Sequence, residues 1–196
     1  ANNAADGWAG AIRFQGDGNV TDCNFVNNTA SNYDGGAMLF SSSGAVEKCS
    51  FINNSANNAG AILFEGDGNV KDCNFTNSYG AASAGAILFG GIGNVTDCNF
   101  VNNTVSKYDG GAVYFDSTGS VENCSFAYNS ARYGGAVYFE RGSDGTVKNC
   151  NFVNNSAFEC GGSVYFNGAG SAENCYFINN AALNVGGAIL FEGEGD

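Results

Sequence analysis

The sequence predicts an all-β protein: a right-handed parallel β-helix of about eight coils, with roughly 25 residues per coil. Three observations carry this. Seven of the eight cysteines stand at 23, 49, 73, 98, 124, 150 and 175, intervals of 24 to 26 residues. Fifteen of the 16 phenylalanines fall into two columns of the same period: Phe14, Phe40, Phe64, Phe89, Phe115, Phe139, Phe166 and Phe191, and Phe25, Phe51, Phe75, Phe100, Phe126, Phe152 and Phe177. The string NVTDCNFVNNT at residues 19–29 returns unchanged at 94–104.

Each repeat opens on Gly-Gly-Ala followed by an aliphatic-x-Phe triplet such as Ile12-Arg13-Phe14. Apolar residues at i and i+2 mark a short strand with one buried face. A turn of Gly, Ser, Asp or Asn follows, in a chain with 30 Gly and no Pro. Next comes Val-x-x-Cys-x-Phe, in which Val20, Cys23 and Phe25 point inward and Thr21 and Asn24 face out or lie at bends. An Asn-Asn pair and a variable bend complete the unit. No segment has room for a crossover helix, and parallel crossovers are right-handed almost without exception. Equivalent residues on neighbouring coils then lie about 4.8 Å apart, and the rod is on the order of 35 Å long. The charges fit this register: Lys48 falls between Asp22 and Asp72, Lys148 between Glu122 and Glu173, and Glu47 beside Lys71.

Stacking makes columns. Asn28, Asn54, Asn103, Asn129, Asn155 and Asn180 form an asparagine ladder, each amide able to bond the next, and asparagine also tolerates a left-handed bend. Cys23, Cys49, Cys73, Cys98, Cys124, Cys150 and Cys175 form a second ladder. Parallel Cβ vectors about 4.8 Å apart are too far for the roughly 3.8 Å a disulfide prefers, so these are expected as free, buried thiols. Cys160 lies outside the ladder, aligned with Asp34 and Asp109, as the one candidate reactive thiol. If Arg13 marks the solvent side, the outward column continues through Leu39, Leu63, Leu88, Tyr114, Tyr138, Tyr165 and Leu190. This is a candidate interaction stripe, for lateral association of rods or for stacking on sugar rings or a partner protein, unless another loop covers it.

With 196 residues, 44% hydrophobic, the chain suits a single domain spanning 1–196. A net charge of −12 disfavours nucleic acid and anionic membrane surfaces, and no apolar run reaches 18 residues, so direct membrane insertion is not expected. The opening ANNAADGWAGA carries no leader and reads as a mature product or an excised piece. There is no His, and no cofactor, metal or catalytic group is implied. The best carboxylate pairs are Asp116 with Glu140 and Asp72 with Asp97 on adjacent coils, a spacing that a glycosidase or an ordinary acidic edge would share. Asp17, Glu65, Asp67, Glu192 and Glu194 sit at turns where weak Ca²⁺ binding is conceivable, although Ser42 and Ser43 break the series. Of eight Asn-x-Ser/Thr sequons, Asn27, Asn53, Asn102 and Asn154 lie on the asparagine bend, whereas Asn19, Asn74, Asn94 and Asn123 could carry glycan.

Gly-Gly-Ala-(Ile/Val/Met) followed by Phe-x-x-Asn resembles the repeat of chlamydial polymorphic outer membrane proteins, and is similar to the adhesin-like β-helix proteins of methanogenic archaea. The first motif stands at Gly35–Met38, Gly110–Val113, Gly134–Val137 and Gly186–Ile189, and the second ends at Asn28, Asn54, Asn103, Asn129, Asn155 and Asn180. Ala9, Ala59 and Ala84 replace the first glycine, Ser163 the alanine and Ser78 the asparagine. The resemblance implies a secreted or cell-surface rod used in adhesion or as a passenger or stalk, although rods of this fold also carry enzymes; with no His and few catalytic groups, the expectation is a non-enzymatic part of a larger surface protein that binds copies of itself or a surface protein or glycan. A self-assembling filament or sheath subunit stacking end to end is the alternative, since neither end of the sequence shows a polar cap. A polysaccharide-active β-helix enzyme is the third.

Overall fold

Short apolar triplets between glycine turns become three-residue strands, each paired in parallel with the equivalent triplet one coil away. Ile12–Phe14 pairs with Met38–Phe40, and Met38–Phe40 with Ile62–Phe64, column for column. The computed structural model describes residues 1–195 and winds as a right-handed solenoid of about eight coils. Four parallel sheets line it. Sheet 1 begins with Ala4–Ala5 and sheet 2 with Ile12–Phe14, each of eight strands; sheet 3 begins with Gly18–Thr21 and sheet 4 with Asn24–Val26, each of seven.

Three corners of every coil use left-handed backbone. One column runs through Asp22, Lys48, Asp72, Asp97 and Asn123, and another through Asn27, Asn53, Asn77, Asn102, Tyr128, Asn154 and Asn179. Asn and Asp tolerate that conformation better than other side chains, which accounts for their recurrence. The third corner is the first residue of Gly-Gly-Ala, where Ala9, Ala59 and Ala84 adopt φ of 52 to 56° and glycine serves elsewhere. The second glycine is constrained by space. A Cβ on Gly85 would stand 1.9 Å from the carbonyl oxygen of Gly111, so alanine replaces the first glycine and never the second.

Inside, the two phenylalanine columns stack ring on ring with centroids 4.7 to 5.1 Å apart. The valine and cysteine columns pack beside them in one continuous core. Burying each ring contributes on the order of 1.5–3 kcal/mol.

Asparagines form two ladders of opposite sense. In the buried one, Asn103 donates its backbone N–H and Nδ2 to Asn129 Oδ1, at 2.9 and 3.0 Å, and donates Nδ2 also to the Phe75 carbonyl at 3.1 Å. Every polar atom of the buried amide is thereby engaged. In the exposed ladder at the left-handed corner, Nδ2 of Asn27 donates back to Asn2, and Asn53, Asn77 and Asn102 repeat the pattern.

Charges follow the register. Glu47 lies opposite Lys71, and Lys148 lies between Glu122 and Glu173, bonding Glu173 at 3.1 Å. Lys48 stands between Asp22 and Asp72 in the corner column, as expected, and its Nζ forms its ion pair with Glu47 at 3.0 Å. It occupies a left-handed corner beside which Glu47 projects from sheet 3, so its closest carboxylate lies along the chain and not along the axis.

Ser78 interrupts the buried ladder: its N–H bonds Asn103 Oδ1 at 2.9 Å, but its buried hydroxyl has no partner. Ser78→Asn should restore the missing amide bonds, at about 1 kcal/mol each, and raise Tm by roughly 2–4 °C per kcal/mol. Thermal denaturation monitored by circular dichroism checks this, with Asn103→Ala expected to lower Tm.

Candidate functional site

After each sheet 1 strand the chain runs out to a bend and returns through Gly-Gly-Ala, so that this arm leans over the outer face of sheet 2. The outward column of sheet 2 is therefore covered, which corrects the expected interaction stripe. Leu39 is fully buried, Leu63, Tyr138 and Tyr165 are nearly so, and Leu88, Tyr114 and Leu190 are half-buried. Leu39 and Leu63 pack with Ala9, Ala59 and Ala84 in a second small core. Tyr114, Tyr138 and Tyr165 stack at 5.2 and 5.1 Å, and Tyr133, at the end of a sheet 1 strand, meets Tyr165 edge-on at 5.6 Å. Arg13, exposed beneath Trp8, is the one member of the column that the first coil leaves open.

Burial under the arm gathers a polar cluster. Tyr114 donates its hydroxyl to Glu140 Oε2, and Asn167 Nδ2 donates to Tyr138 Oη at 2.9 Å. Asp109 lies in the arm, in a column with Tyr133, Cys160 and Val185. One of its carboxylate oxygens is buried without a partner. Burial first, and then the charge of Glu140, push the Asp109 carboxyl up to about 7, while Arg132 opposes the shift. Burial and the Glu140 carboxylate likewise raise the Tyr114 phenol.

The open concave surface is the outer face of sheet 1. Across the later coils it forms a groove of about 870 Å³, floored by Ser130, Ala131, Ser156 and Ala157. A shallower hollow of about 190 Å³ continues on the earlier coils beside Ser55 and Tyr79. Arg132, Phe158 and Leu183 follow the paired Ala131, Ala157 and Ala182 on successive coils, and the register shifts between Ala131 and Tyr133. Phe158 is the one phenylalanine outside both core columns, and it is 68% exposed, with Leu183 at 70%. Lys107 lines the groove and forms no ion pair among the described residues. Arg132 donates Nε to Glu159 Oε1 at 2.6 Å, and Glu159 is the only acid in the lining. Hydrogen bonds from Tyr133 and Arg132 hold the Glu159 carboxyl below the usual range.

The other singled-out residues sit in structural roles. All eight cysteines are free; Cys49, Cys73, Cys98, Cys124 and Cys150 are buried, Cys23 is exposed, and Cys160 and Cys175 are half-buried. Sγ of Cys49 donates to the Glu47 carbonyl at 3.1 Å, and burial pushes its thiol up to about 11. Asp17 and Asp67 tie adjacent coils by accepting from Ser42 Oγ and from the Ile92 N–H, at 2.6 and 2.8 Å. Among the described residues no group of three or more Cys, Asp or Glu is placed to hold a metal ion. Glu140, of the Asp116 pair, also accepts the Arg141 N–H, while Asp72 and Asp97 lie at left-handed corners. Asn19, Asn74 and Asn123 are exposed, whereas Asn94 bonds Asn69 and Ser120 along its column.

Two features escaped the sequence reading. The partly exposed apolar column lies on sheet 4, through Val26, Ile52, Thr76, Val101, Ala127, Val153 and Ile178, facing out beside Asn24, Ser50 and Asn74. Alternation about each inward Phe of the second column was the signal that could have found it. Phe158 was visible only as the phenylalanine that fits neither column.

A family model described as a right handed beta helix region matches residues 55–195, well over half of the chain. No curated protein and no solved structure matches it.

Two outcomes follow from these environments. Asp109, with an ordinary value of 3.8, titrates near 7 in the fold, so its protonated form stabilises the protein fully below pH 3.8. That contribution is lost as pH rises through about 7. Tm should fall across this range, and Asp109→Asn should flatten the profile and raise Tm above neutral pH. Native protein titrated with Ellman's reagent should expose Cys23, Cys160 and Cys175, and the five buried thiols only on unfolding.

Proposed function

The chain belongs to the right-handed β-helix family, and on that premise we propose that it is a non-catalytic, adhesin-like extracellular or cell-surface rod that holds a surface protein or glycan along the sheet 1 groove. The observation that carries this reading is the groove itself: about 870 Å³ of open space lined by Lys107, which has no ion pair among the described residues, and by the exposed Phe158. Polar orienting groups beside apolar surface are what a binding site requires. Its single carboxylate, Glu159, is tied to Arg132 and Tyr133, and glycoside hydrolysis needs two free carboxyl groups flanking the bond. Fixed ladders give the rod stiffness, so a ligand meets a preformed surface and little ordering entropy is lost on binding.

A second reading, self-assembly into a filament or sheath, draws on sheet 4. Its outward columns carry no charged side chain, although the chain as a whole bears −12. Two rods could approach there without the repulsion the rest of the surface imposes.

Light scattering and electron microscopy at several concentrations, with a panel of immobilised glycans and matrix proteins, separate the two. The binding rod predicts discrete short particles and saturable capture that Ser156→Trp, which fills the groove floor, abolishes. Growth into long or bundled particles, with no capture at any concentration, would favour assembly. Turnover of a polysaccharide, lost in Glu140→Gln, would overturn the non-catalytic reading.

A further inference from the structure

Sheet 4 presents a narrow outer face bounded on each side by a left-handed corner. Two outward columns run between the corners, a polar one from Asn24 to Tyr176 and a mainly aliphatic one from Val26 to Ile178. The corner that follows, from Asn27 to Asn179, carries no charge either. Charge enters only at the corner that precedes the sheet, and only in the first four coils: Asp22, Lys48, Asp72 and Asp97 give way to Asn123, Asn149 and Asn174. Every member of that corner is exposed. On a chain of net charge −12, this is the face on which two copies repel each other least. It also leaves apolar surface open to water, with Ile178 49% and Tyr176 69% exposed.

Two identical rods that face each other across a two-fold axis have two ways to pair. With the axis along the rods they lie parallel, and the polar column of each falls opposite the aliphatic column of the other. Amides and hydroxyls would then be buried against apolar side chains without partners. With the axis across the rods they lie antiparallel, and each column falls opposite its own copy. Aliphatic meets aliphatic, and amide meets amide or hydroxyl.

The antiparallel pair also settles the charged corner, because the first coil faces the seventh. Asp22 falls opposite the partner's Asn174, Lys48 opposite the partner's Asn149 and Asp72 opposite the partner's Asn123. Only Asp97, in the fourth coil, meets its own copy. The face spans about 16 Å from corner to corner and about 29 Å from the first coil to the seventh. Its area of roughly 460 Å² is little more than half of the ~800 Å² per partner of a standard interface, which makes the pair reversible.

We propose that two copies of this chain pair face to face through sheet 4 as a closed antiparallel dimer. It uses the uncharged face on which the assembly reading draws, but it ends at two rods and so is compatible with a binding rod. Sheet 1 follows sheet 4 around the Asn27 corner, and an axis across the rods keeps that corner on one side. Both sheet 1 grooves therefore open on the same side of the pair, where one multivalent partner can engage them together.

Sedimentation equilibrium of the full chain, from dilute to millimolar concentration, tests the dimer. Mass should rise from one chain to two and stop there, and added salt should favour the pair by screening the net charge. Val101→Lys, which sets two ammonium groups against each other at the two-fold axis, should abolish it. Asp97→Asn should tighten the pair more than Asp144→Asn, which removes the same charge from sheet 3. Orientation is read at the ends: Val26→Lys and Ile178→Glu should each weaken pairing several-fold, and the double variant should restore it, since only antiparallel rods bring those positions together. Circular dichroism confirms that each variant is folded. A single-chain mass at every concentration, growth beyond two chains, indifference to Val101→Lys, or no restoration in the double variant would overturn the proposal. If pairing fails while a member of the glycan and protein panel is still captured, the dimer falls and the binding rod stands. If the pair forms and nothing on the panel is captured, the dimer stands and the binding rod falls.

Discussion

Parallel stacking at about 4.8 Å is the constraint on which everything else in this protein depends, because it places each side chain against its own counterpart one coil away. The buried columns are therefore made of side chains that pack on copies or close relatives of themselves. Phenylalanine does so by stacking its rings, valine and cysteine by filling small apolar layers, and asparagine by donating an amide to the next amide. Like charges do not, which is why charged residues lie outside and alternate in sign on sheet 3 where they recur.

The same constraint sorts the glycines. At the first position of Gly-Gly-Ala the demand is conformational, and alanine meets it at modest strain. At the second, the backbones of neighbouring coils come so close that any side chain would collide with a carbonyl, and no substitute occurs. Where a column is broken, local cost appears: Ser78 leaves a hydroxyl unpartnered, and Tyr128 holds a bulky side chain in left-handed backbone at an exposed corner.

Function therefore has to be sought where repetition lapses. The ends of the sheet 1 strands and the arms that lead from them to Gly-Gly-Ala differ in length and composition from coil to coil, and they carry Lys107, Asp109, Arg132, Phe158 and Leu183. Repetition supplies a stiff frame there, while variation supplies chemistry. The arms also decide what is hidden, since leaning over sheet 2 buries a column of leucines and tyrosines and leaves the concave face of sheet 1 open.

The sequence by itself determined the coil, its period, the inward columns, the asparagine corners and most of the charge register. Each of these is a relation between a residue and its own repeat, so the period alone specifies the neighbour. Only the tertiary structure decided that Leu39 and Tyr138 are covered and that the exposed apolar column is on sheet 4. It alone showed that Lys48 pairs with Glu47, that Asp109 is half-buried and feels the charge of Glu140, and that Lys107 and Phe158 share a groove. These are relations between different sheets, or between an irregular arm and a sheet. They depend on the path of the chain around each corner, which a repeating pattern does not encode.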